Sequence, residues 1–252
     1  MDQIQVLDKL SSAKKVLVGL GEEWKMADAE AYDALYKLLK EKDYFIVTMA
    51  TDAAIYDTRL GSTEEQVVCE EQMEQGLSCP SVDEETMALM DKLFPVKEQR
   101  KKAPDMRRDR IVAPCGNETW RQCSKGCTKD IWEPGEIPDD ICPHCGAPLT
   151  GNTVEASPYI EEGYLPQWDK YIRWLAETLN QEMVILELGV GFGNPGVIRF
   201  PFEKTCFFSQ KTYLYRVNRQ FYQVAAELSG RSEGIAMPSV EWVKAVSRTD
   251  IS

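Results

Sequence analysis

The chain has 252 residues, a hydrophobic fraction of 43% and a net charge of −12 at pH 7, enough length for one large domain or for a large and a small one. This charge argues against a general nucleic-acid binder, because that function needs clustered positive charge against phosphates. No stretch reaches the roughly 18 consecutive apolar residues of a membrane span, and the N-terminus is not typical of a signal peptide. We therefore expect a cytoplasmic protein that binds neither nucleic acid nor membranes.

Short apolar runs predict four buried strands. They lie at residues 16–18, 44–49, 183–188 and 213–217. Continuous apolar runs, as opposed to alternating ones, are typical of a parallel sheet covered on both faces. Helical spacing of apolar residues precedes the second run at 31–39 and the third at 168–175, and a last helix is expected to begin with Ser239 as its N-cap. This alternation predicts a doubly wound, Rossmann-like α/β domain.

Between the second and third strands lie two cysteine pairs, a C-x3-C followed by a C-x2-C. Each short pair lets two thiolates face one ion from a tight turn, and four sulfurs at ~2.3 Å complete a closed tetrahedron around zinc. In a reducing compartment this spacing indicates a metal site far more often than two disulfides. The predicted ligands are Cys123, Cys127, Cys142 and Cys145. A four-thiolate site leaves no position for water, so the zinc is predicted to be structural.

The zinc segment falls inside the chain, so the predicted Rossmann-like domain is discontinuous. We assign residues 1–61 and 155–252 to it, and residues 111–154 to a small zinc-ribbon domain. The segment 62–110 is acidic in its first part and basic in its last. It is interpreted as a solvated, mainly helical insertion whose halves partly neutralise each other; the alternative is a lid or a docking surface for a protein partner.

Glycine turns follow two of the predicted strands. Gly19 and Gly21 end the first strand, and a glycine in this place lets a backbone approach a pyrophosphate because it has no Cβ. Such a turn alone is a weak signal, since many strand–helix turns use glycine for packing. A second glycine turn begins at Gly189, and Asn218 follows the fourth strand at its carboxyl end, where such folds bind ligands.

In these parts and their order, the chain resembles the sirtuin family, which pairs a dinucleotide-binding domain with an inserted four-cysteine zinc ribbon. A glycine turn, a strand ending TMATD at 48–52, Cys-Gly-Asn at 115–117, the ribbon and the second glycine turn follow one another. The QCSKGC that opens the ribbon and the ELGVGF…IRFPFE block are most similar to the bacterial branch linked to macrodomain operons.

The resemblance implies NAD or ADP-ribose as ligand, and it implies roles for the site residues. Gly19 and Gly21 would face the pyrophosphate. Asn218 would hydrogen-bond the adenine ribose, although an ordinary turn residue is the alternative there, and Asp52 would hold the floor of the nicotinamide-side pocket. The adenosine-side ribose and phosphates would be lined by Gly189, Val190 and Gly191.

The departures from the family fall on its chemistry. Ala50 replaces an asparagine that orients water and a ribose hydroxyl, and Cys115 replaces the catalytic histidine. The long cofactor-binding loop after Gly21 is nearly absent, and Glu22 and Glu23 stand in its place. Their negative charge beside a pyrophosphate is unfavourable.

Cys115 has two candidate roles. Its thiolate could act as base or nucleophile if a nearby arginine lowered its pKa, and Arg107, Arg108 or Arg110 could supply that charge. The alternative is a small buried apolar filler. The sole histidine, His144, lies between ribbon cysteines and is expected in a solvent-facing turn.

Two functions therefore stay open from the sequence. One is an NAD-dependent ADP-ribosyltransferase or protein-lysine deacylase with altered catalytic residues. The other is a catalytically inactive sensor or scaffold that binds NAD or ADP-ribose and uses zinc only structurally.

Overall fold

The computed structural model describes residues 3–61, 109–178 and 181–249. Nearly all of the charged insertion predicted at 62–110 lies outside these residues. The strands are β1 (Lys15–Leu20), β2 (Asp43–Thr48), β3 (Ile111–Val112), β4 (Gly116–Cys123), β5 (Ile131–Trp132), β6 (Leu149–Thr153), β7 (Met183–Leu188), β8 (Thr212–Val217) and β9 (Ser232–Ile235). The α-helices are α1 (Gln3–Ser12), α2 (Ala29–Leu39), α3 (Leu165–Ala176), α4 (Arg199–Phe208) and α5 (Ser239–Ser247).

Six strands form one parallel sheet in the order β3-β2-β1-β7-β8-β9. Every residue of β1 and of β7 is buried, as expected for strands covered on both faces. The apolar side chains form two clusters: Val16 and Val18 pack with α1, α2 and α5, whereas Leu17 packs with α3 and α4. These clusters lie on opposite faces because successive strand side chains alternate. The predicted doubly wound sheet is confirmed.

The chain winds outward twice from the centre of this sheet. It runs from β1 to β2 and β3 on one side, returns to β7 beside β1, and then runs to β8 and β9 on the other. The direction therefore reverses between β1 and β7, and a crevice opens at their carboxyl ends, where ligands of doubly wound sheets bind.

A second, three-stranded antiparallel sheet has the order β5-β4-β6. Cys123 ends its strand β4, and Cys127, Cys142 and Cys145 lie in the loops between its strands and cluster with Cys123. The sheet and the cluster fit the predicted zinc-ribbon insertion. Before it, β3 pairs with β2 in the large sheet through Ile46 and Ile111, so the chain leaves the large sheet only after Val112. The boundaries predicted for the domains, including 111–154 for the ribbon, stay a prediction.

The central strands lie within one or two residues of the predicted runs. β9 and α4 were not predicted. β9 is a short edge strand of mixed polarity, and α4 contains Pro201, which obscures its pattern. Ser239 is not the N-cap that was predicted. Pro238 takes that place, and Ser239 is the first residue of α5. Among the helices of the described residues, none combines the length and apolar character needed to cross a bilayer.

Candidate functional site

Three strand-end turns surround the crevice at the reversal of the sheet. The first is a 3₁₀ turn at Glu22–Trp24 after β1, the second follows β7 from Gly189, and the third follows β8 from Asn218. Between them lies a cavity of about 430 Å³, within the range of roughly 300–1,000 Å³ typical of small-molecule pockets.

A cavity of similar size, about 440 Å³, lies at the amino ends of β7 and β8. Arg231 is one of the basic residues that line it. Its guanidinium donates to the carbonyls of Cys206, Phe207 and Ser209 at the end of α4. The strand-end crevice is the stronger candidate, since the topology of the sheet and the glycine turns both point to it.

The two glycines before the first turn, Gly19 in β1 and Gly21 directly after it, are required by packing within the protein. A Cβ on Gly21 would lie 2.3 Å from the carbonyl oxygen of Gly189 and from the Cα of Val190, so the first and second turns touch backbone to backbone. A Cβ on Gly19 would lie 2.5 Å from a methyl of Ile198, which precedes α4. Packing is therefore the observed role of both glycines. Their predicted role of facing a pyrophosphate stays a prediction.

The second turn presents its backbone to the cavity. Gly189 has a φ of +68°, a left-handed conformation that favours glycine. The N–H of Gly191 points toward the cavity and donates to Oε2 of Glu22 at 2.7 Å. Val190 is buried and faces away, and its carbonyl accepts from Asn218 and Arg199. Gly189 and Gly191 thus line the cavity, whereas Val190 holds the turn in place through the hydrogen bonds that its carbonyl accepts.

Two adjacent glutamates, Glu22 and Glu23, accept hydrogen bonds from the donor groups of this crevice. While Glu22 binds the Gly191 N–H, Oε2 of Glu23 accepts from the backbone N–H of Ser239 at 2.8 Å and from its hydroxyl at 2.7 Å. Oε1 of Glu23 accepts from the N–H of Arg219 at 3.3 Å. The sequence showed only the charge of these residues, and their partners could not be foreseen because they lie far along the chain.

Asn218 shapes the third turn. Its Oδ1 accepts from the N–H groups of Gln220 and Phe221, both at 2.8 Å, and its Nδ2 donates to the carbonyl of Val190 at 3.2 Å. The buried amide therefore joins the third turn to the second, which fits the alternative of a turn residue. Its role toward a ribose stays a prediction.

Asp52 stabilises the backbone on the β2 side of the crevice. Its carboxylate accepts from the N–H groups of Met26 and Ala54, which connects the end of β2 to the segment before α2. Met26 has a φ of +63°, a conformation that this bond helps to hold. Ala50 is buried nearby and has no side-chain polar atom for a ligand.

Cys115 is buried and packs in the cluster that contains Met49 and Val112. Burial, and then the negative charge of Glu22, raise the pKa of Cys115 to about 11. Arg110, one of the arginines considered as an activator, instead donates to Asp43 and to the carbonyl of Tyr44, while Arg107 and Arg108 lie outside the described residues. The thiol is therefore neutral near pH 7, which favours the filler over the nucleophile.

Beneath the second and third turns lies a buried ion network that the sequence analysis missed. Arg216 on β8 donates to both carboxylate oxygens of Glu187 on β7, at 2.6 and 2.8 Å. Arg199, at the start of α4, donates to the carbonyls of Phe221 and Gln223 at 3.0 and 3.2 Å. Burial raises the pKa of Glu187, and the bonds from Arg216 oppose that shift. The network fixes the position of both turns.

An aromatic pair stands at the mouth of the crevice. The rings of Phe192 and Phe221 meet edge to face, with centroids 5.3 Å apart, and the guanidinium of Arg199 lies 4.3 Å from the centre of the Phe192 ring. Both phenylalanines are exposed despite their size. They offer an apolar surface beside the polar floor of the cavity.

The four ribbon thiols converge at one point. All four sulfurs lie within 4.8 Å of one another; Cys123 and Cys145 are 3.6 Å apart, and Cys127 and Cys142 are 3.5 Å apart. Four sulfurs at ~2.3 Å from a tetrahedral zinc ion would stand roughly 3.8 Å apart. The two close pairs are near this separation, and the cluster as a whole is compact enough for its four thiols to hold a single zinc ion.

His144 lies beside this cluster but is turned toward solvent, as predicted. Its Nε2 is 2.8 Å from a carboxylate oxygen of Asp130, and its ring stacks over Trp132. It therefore braces the ribbon loop from outside the thiol cluster.

Comparisons with known proteins agree with this fold. No family model matches the chain. Two solved structures of Sir2 homologues in complex with ADP-ribose, one a histidine-to-asparagine variant and one a serine-to-alanine variant, give TM-scores of 0.52 and 0.50. Each is 13% identical, and each match covers 98% of this chain and 96% of the other. The chain thus has a sirtuin-like fold, as its motifs predicted.

A curated protein of Fusarium oxysporum f. sp. cubense, named a probable bifunctional ADP-ribose hydrolase/ADP-ribosyltransferase, is 36% identical over 83 residues. The match covers 30% of this chain and 13% of the fungal protein. The chain therefore corresponds to only a small part of that relative.

Proposed function

We propose that this protein binds an ADP-ribose-containing nucleotide, NAD or ADP-ribose itself, in the strand-end crevice. The observation that carries the proposal is the convergence of backbone donors there. The N–H groups of Gly191, Arg219 and Ser239 all hold carboxylate oxygens at one crevice, and Ser239 begins a helix, whose positive end attracts anions. A diphosphate needs this kind of cradle.

The surroundings of the cradle suit the other parts of such a ligand. The Phe192 and Phe221 rings offer a surface on which a base could stack, and the cavity has the volume of a small-molecule pocket. The ADP-ribose bound by the two Sir2 homologues of similar fold supports the same ligand class. Under this proposal Gly189, Gly191 and Asn218 are the predicted residues that line the ligand, since these three border the cavity.

We further propose that the protein is a non-catalytic sensor or scaffold. A general base contributes ~10²–10⁴-fold to a reaction rate, and the group at the position of the family's base is Cys115, a thiol that stays protonated at neutral pH. Ala50 adds no polar atom that could orient water. The competing function, ADP-ribosyl transfer or lysine deacylation, draws its support from the name of the fungal relative.

The ribbon is proposed to hold one structural zinc ion through Cys123, Cys127, Cys142 and Cys145. Such an ion would offset part of the negative charge of the four thiolates and crosslink the loops, and it would leave no position for substrate. The segment 62–110 remains a proposed place for a protein partner.

Titration calorimetry with ADP-ribose and with NAD tests the binding proposal, and release of nicotinamide from labelled NAD tests catalysis. We expect saturable binding of ADP-ribose without nicotinamide release. Release that disappears in Cys115→Ala would establish the enzyme in place of the sensor. Absence of binding by both nucleotides, in wild type and in variants of the crevice, would contradict the proposed ligand.

A further inference from the structure

We propose that Glu22 and Glu23 form an internal anion gate: their carboxylates occupy the positions that the phosphates of a nucleotide would take, so a diphosphate binds only when they are displaced. The inference rests on the proposed function, since it assigns these two residues control over the same crevice. It makes them the determinants of which nucleotides the crevice accepts.

Glu22 covers the face of the second glycine turn. Its Oε2 accepts from the Gly191 N–H at 2.7 Å. A Cβ added to Gly193 would lie 3.0 Å from Oε1 of the same carboxylate, and one added to Gly191 would lie 3.3 Å from Oε2. The carboxylate thus lies in van der Waals contact with glycine backbone, the surface a phosphate would use.

The Glu23 carboxylate occupies the opposite end of the crevice, beside Arg219 and Ser239. One of its oxygens is held by the N–H and the hydroxyl of Ser239, the first residue of α5, and the other accepts from the N–H of Arg219. Two donors on one oxygen at a helix N-terminus are the arrangement that binds phosphate oxygens in nucleotide-binding proteins. Here a side chain of the protein satisfies them.

The charges around the crevice do not offset these carboxylates. In the part of the chain that the structure describes, neither glutamate lies within ion-pair distance of a lysine or arginine side chain; their partners are neutral backbone and hydroxyl groups. Arg199 is directed to Glu187 and to backbone carbonyls, and Lys25 pairs with Glu118. Arg219 also lines the cavity, but its exposed side chain forms no ion pair with either carboxylate in the described part of the chain. The two carboxylates therefore lack a bound cation, and a phosphate entering beside them is repelled.

The gate is tested with Glu22→Gln, Glu23→Gln and the double variant, by calorimetry with ADP-ribose and with adenosine, which has no phosphate. Each substitution keeps a hydrogen-bond acceptor and removes one negative charge. We expect each to tighten ADP-ribose binding about 10-fold or more, because like-charge repulsion at a few ångströms is lost, and to leave adenosine binding unchanged within about twofold. The control is Glu41→Gln, since Glu41 is an exposed glutamate beside Lys40; it should change neither.

Circular dichroism melting shows whether each variant is folded. If Glu23→Gln does not fold, the comparison of Glu22→Gln with the wild type is sufficient to test the gate. ADP-ribose binding of equal or lower affinity in the folded variants overturns the gate while the proposed function stands. A double variant that binds adenosine but not ADP-ribose also overturns it. If the wild type and the double variant bind neither compound, the proposed function fails, and the gate fails with it.

Discussion

At the scale of single residues, the same residue type serves different ends in neighbouring places. Gly21 lets two turns touch, Gly19 lets α4 pack on the sheet, and Gly191 presents an N–H to the crevice. Glycine spacing after a strand is therefore compatible with both packing and ligand binding, and only the surroundings of each Cα separate the two.

At Cys115, burial determines whether the thiol is ionised. With a pKa of about 11, roughly 0.1% of the thiol is ionised at pH 8, compared with about a quarter for an ordinary cysteine of pKa ~8.5. We expect iodoacetamide to alkylate Cys115 in the native protein at least about 100-fold more slowly than the same residue in the urea-unfolded chain. The measurement is mass spectrometry of digests taken over time. Rapid native alkylation at pH 7 would instead support an activated thiolate.

At the scale of elements, the small sheet is connected to both the crevice and the thiol cluster. β4 begins at Gly116, directly after Cys115, and ends at Cys123, one of the four predicted zinc ligands. Near its start, Glu118 accepts from Lys25 of the first-turn segment and from Thr51 after β2. A metal in the ribbon would thus fix the far end of a strand whose near end borders the crevice.

Zinc content tests the ribbon. We expect one zinc ion per chain by elemental analysis, and we expect Cys127→Ser to weaken zinc binding more than about 100-fold, the upper end of what loss of an outer-shell partner costs. Cys206→Ala is the matched control, because Cys206 is a buried thiol of α4 outside the cluster. A purified protein without zinc, or equal zinc content in Cys127→Ser, would contradict the assignment.

The Glu187–Arg216 pair links β7 to β8 below the crevice, and both side chains are fully buried. Arg216→Leu leaves the Glu187 carboxylate buried without its main partner, so we expect the free energy of unfolding to fall by about 3–5 kcal/mol. Replacing both residues by leucine should restore part of this loss, since the buried Glu187 carboxylate is then gone. The recovery is incomplete because Arg199 loses Glu187 and Glu203 loses Arg216 as ion-pair partners.

Urea unfolding measures these effects. Arg248→Leu is the control, because Arg248 forms an exposed pair with Glu30 and such pairs contribute about 0–1 kcal/mol. A double variant less stable than Arg216→Leu would show that the pair itself, and not the unpaired charge, dominates.

At the scale of the whole molecule, the doubly wound topology assembles the crevice from distant parts of the chain. Glu22 and Gly191 are 169 positions apart, and Glu23 and Ser239 are 216 apart. The carboxyl ends of parallel strands lie at one edge of the sheet, so turns separated by most of the sequence become neighbours.

The net charge of −12 should oppose an anionic ligand at long range. Raising the ionic strength from about 0.01 M to 0.1 M shortens the Debye length from about 30 Å to about 10 Å. We therefore expect ADP-ribose affinity to rise several-fold over this range, contrary to the usual behaviour of phosphate-binding proteins, and adenosine affinity to stay constant. Calorimetry in a salt series measures both. A fall in ADP-ribose affinity with salt would show that attraction by cations dominates the crevice.

Local patterns in the sequence were sufficient for much of the architecture. Mostly apolar runs such as 183–188 predict buried strands because a strand covered on both faces is predominantly apolar. The cysteine spacing predicts the thiol cluster because each pair is held within one tight turn. The glycine turns and Asn218 mark the strand ends that the structure brings to the crevice.

The contacts that govern the crevice depend on three-dimensional proximity and leave no trace in spacing along the chain. That Glu22 lies on Gly191, that Glu23 binds the start of α5, and that Arg216 neutralises Glu187 follow only once the strands are ordered in the sheet. Ionisable groups act through space over a few ångströms, and a one-dimensional pattern carries no such distances. The neutral thiol of Cys115 has the same origin, because burial is a property of the packed molecule.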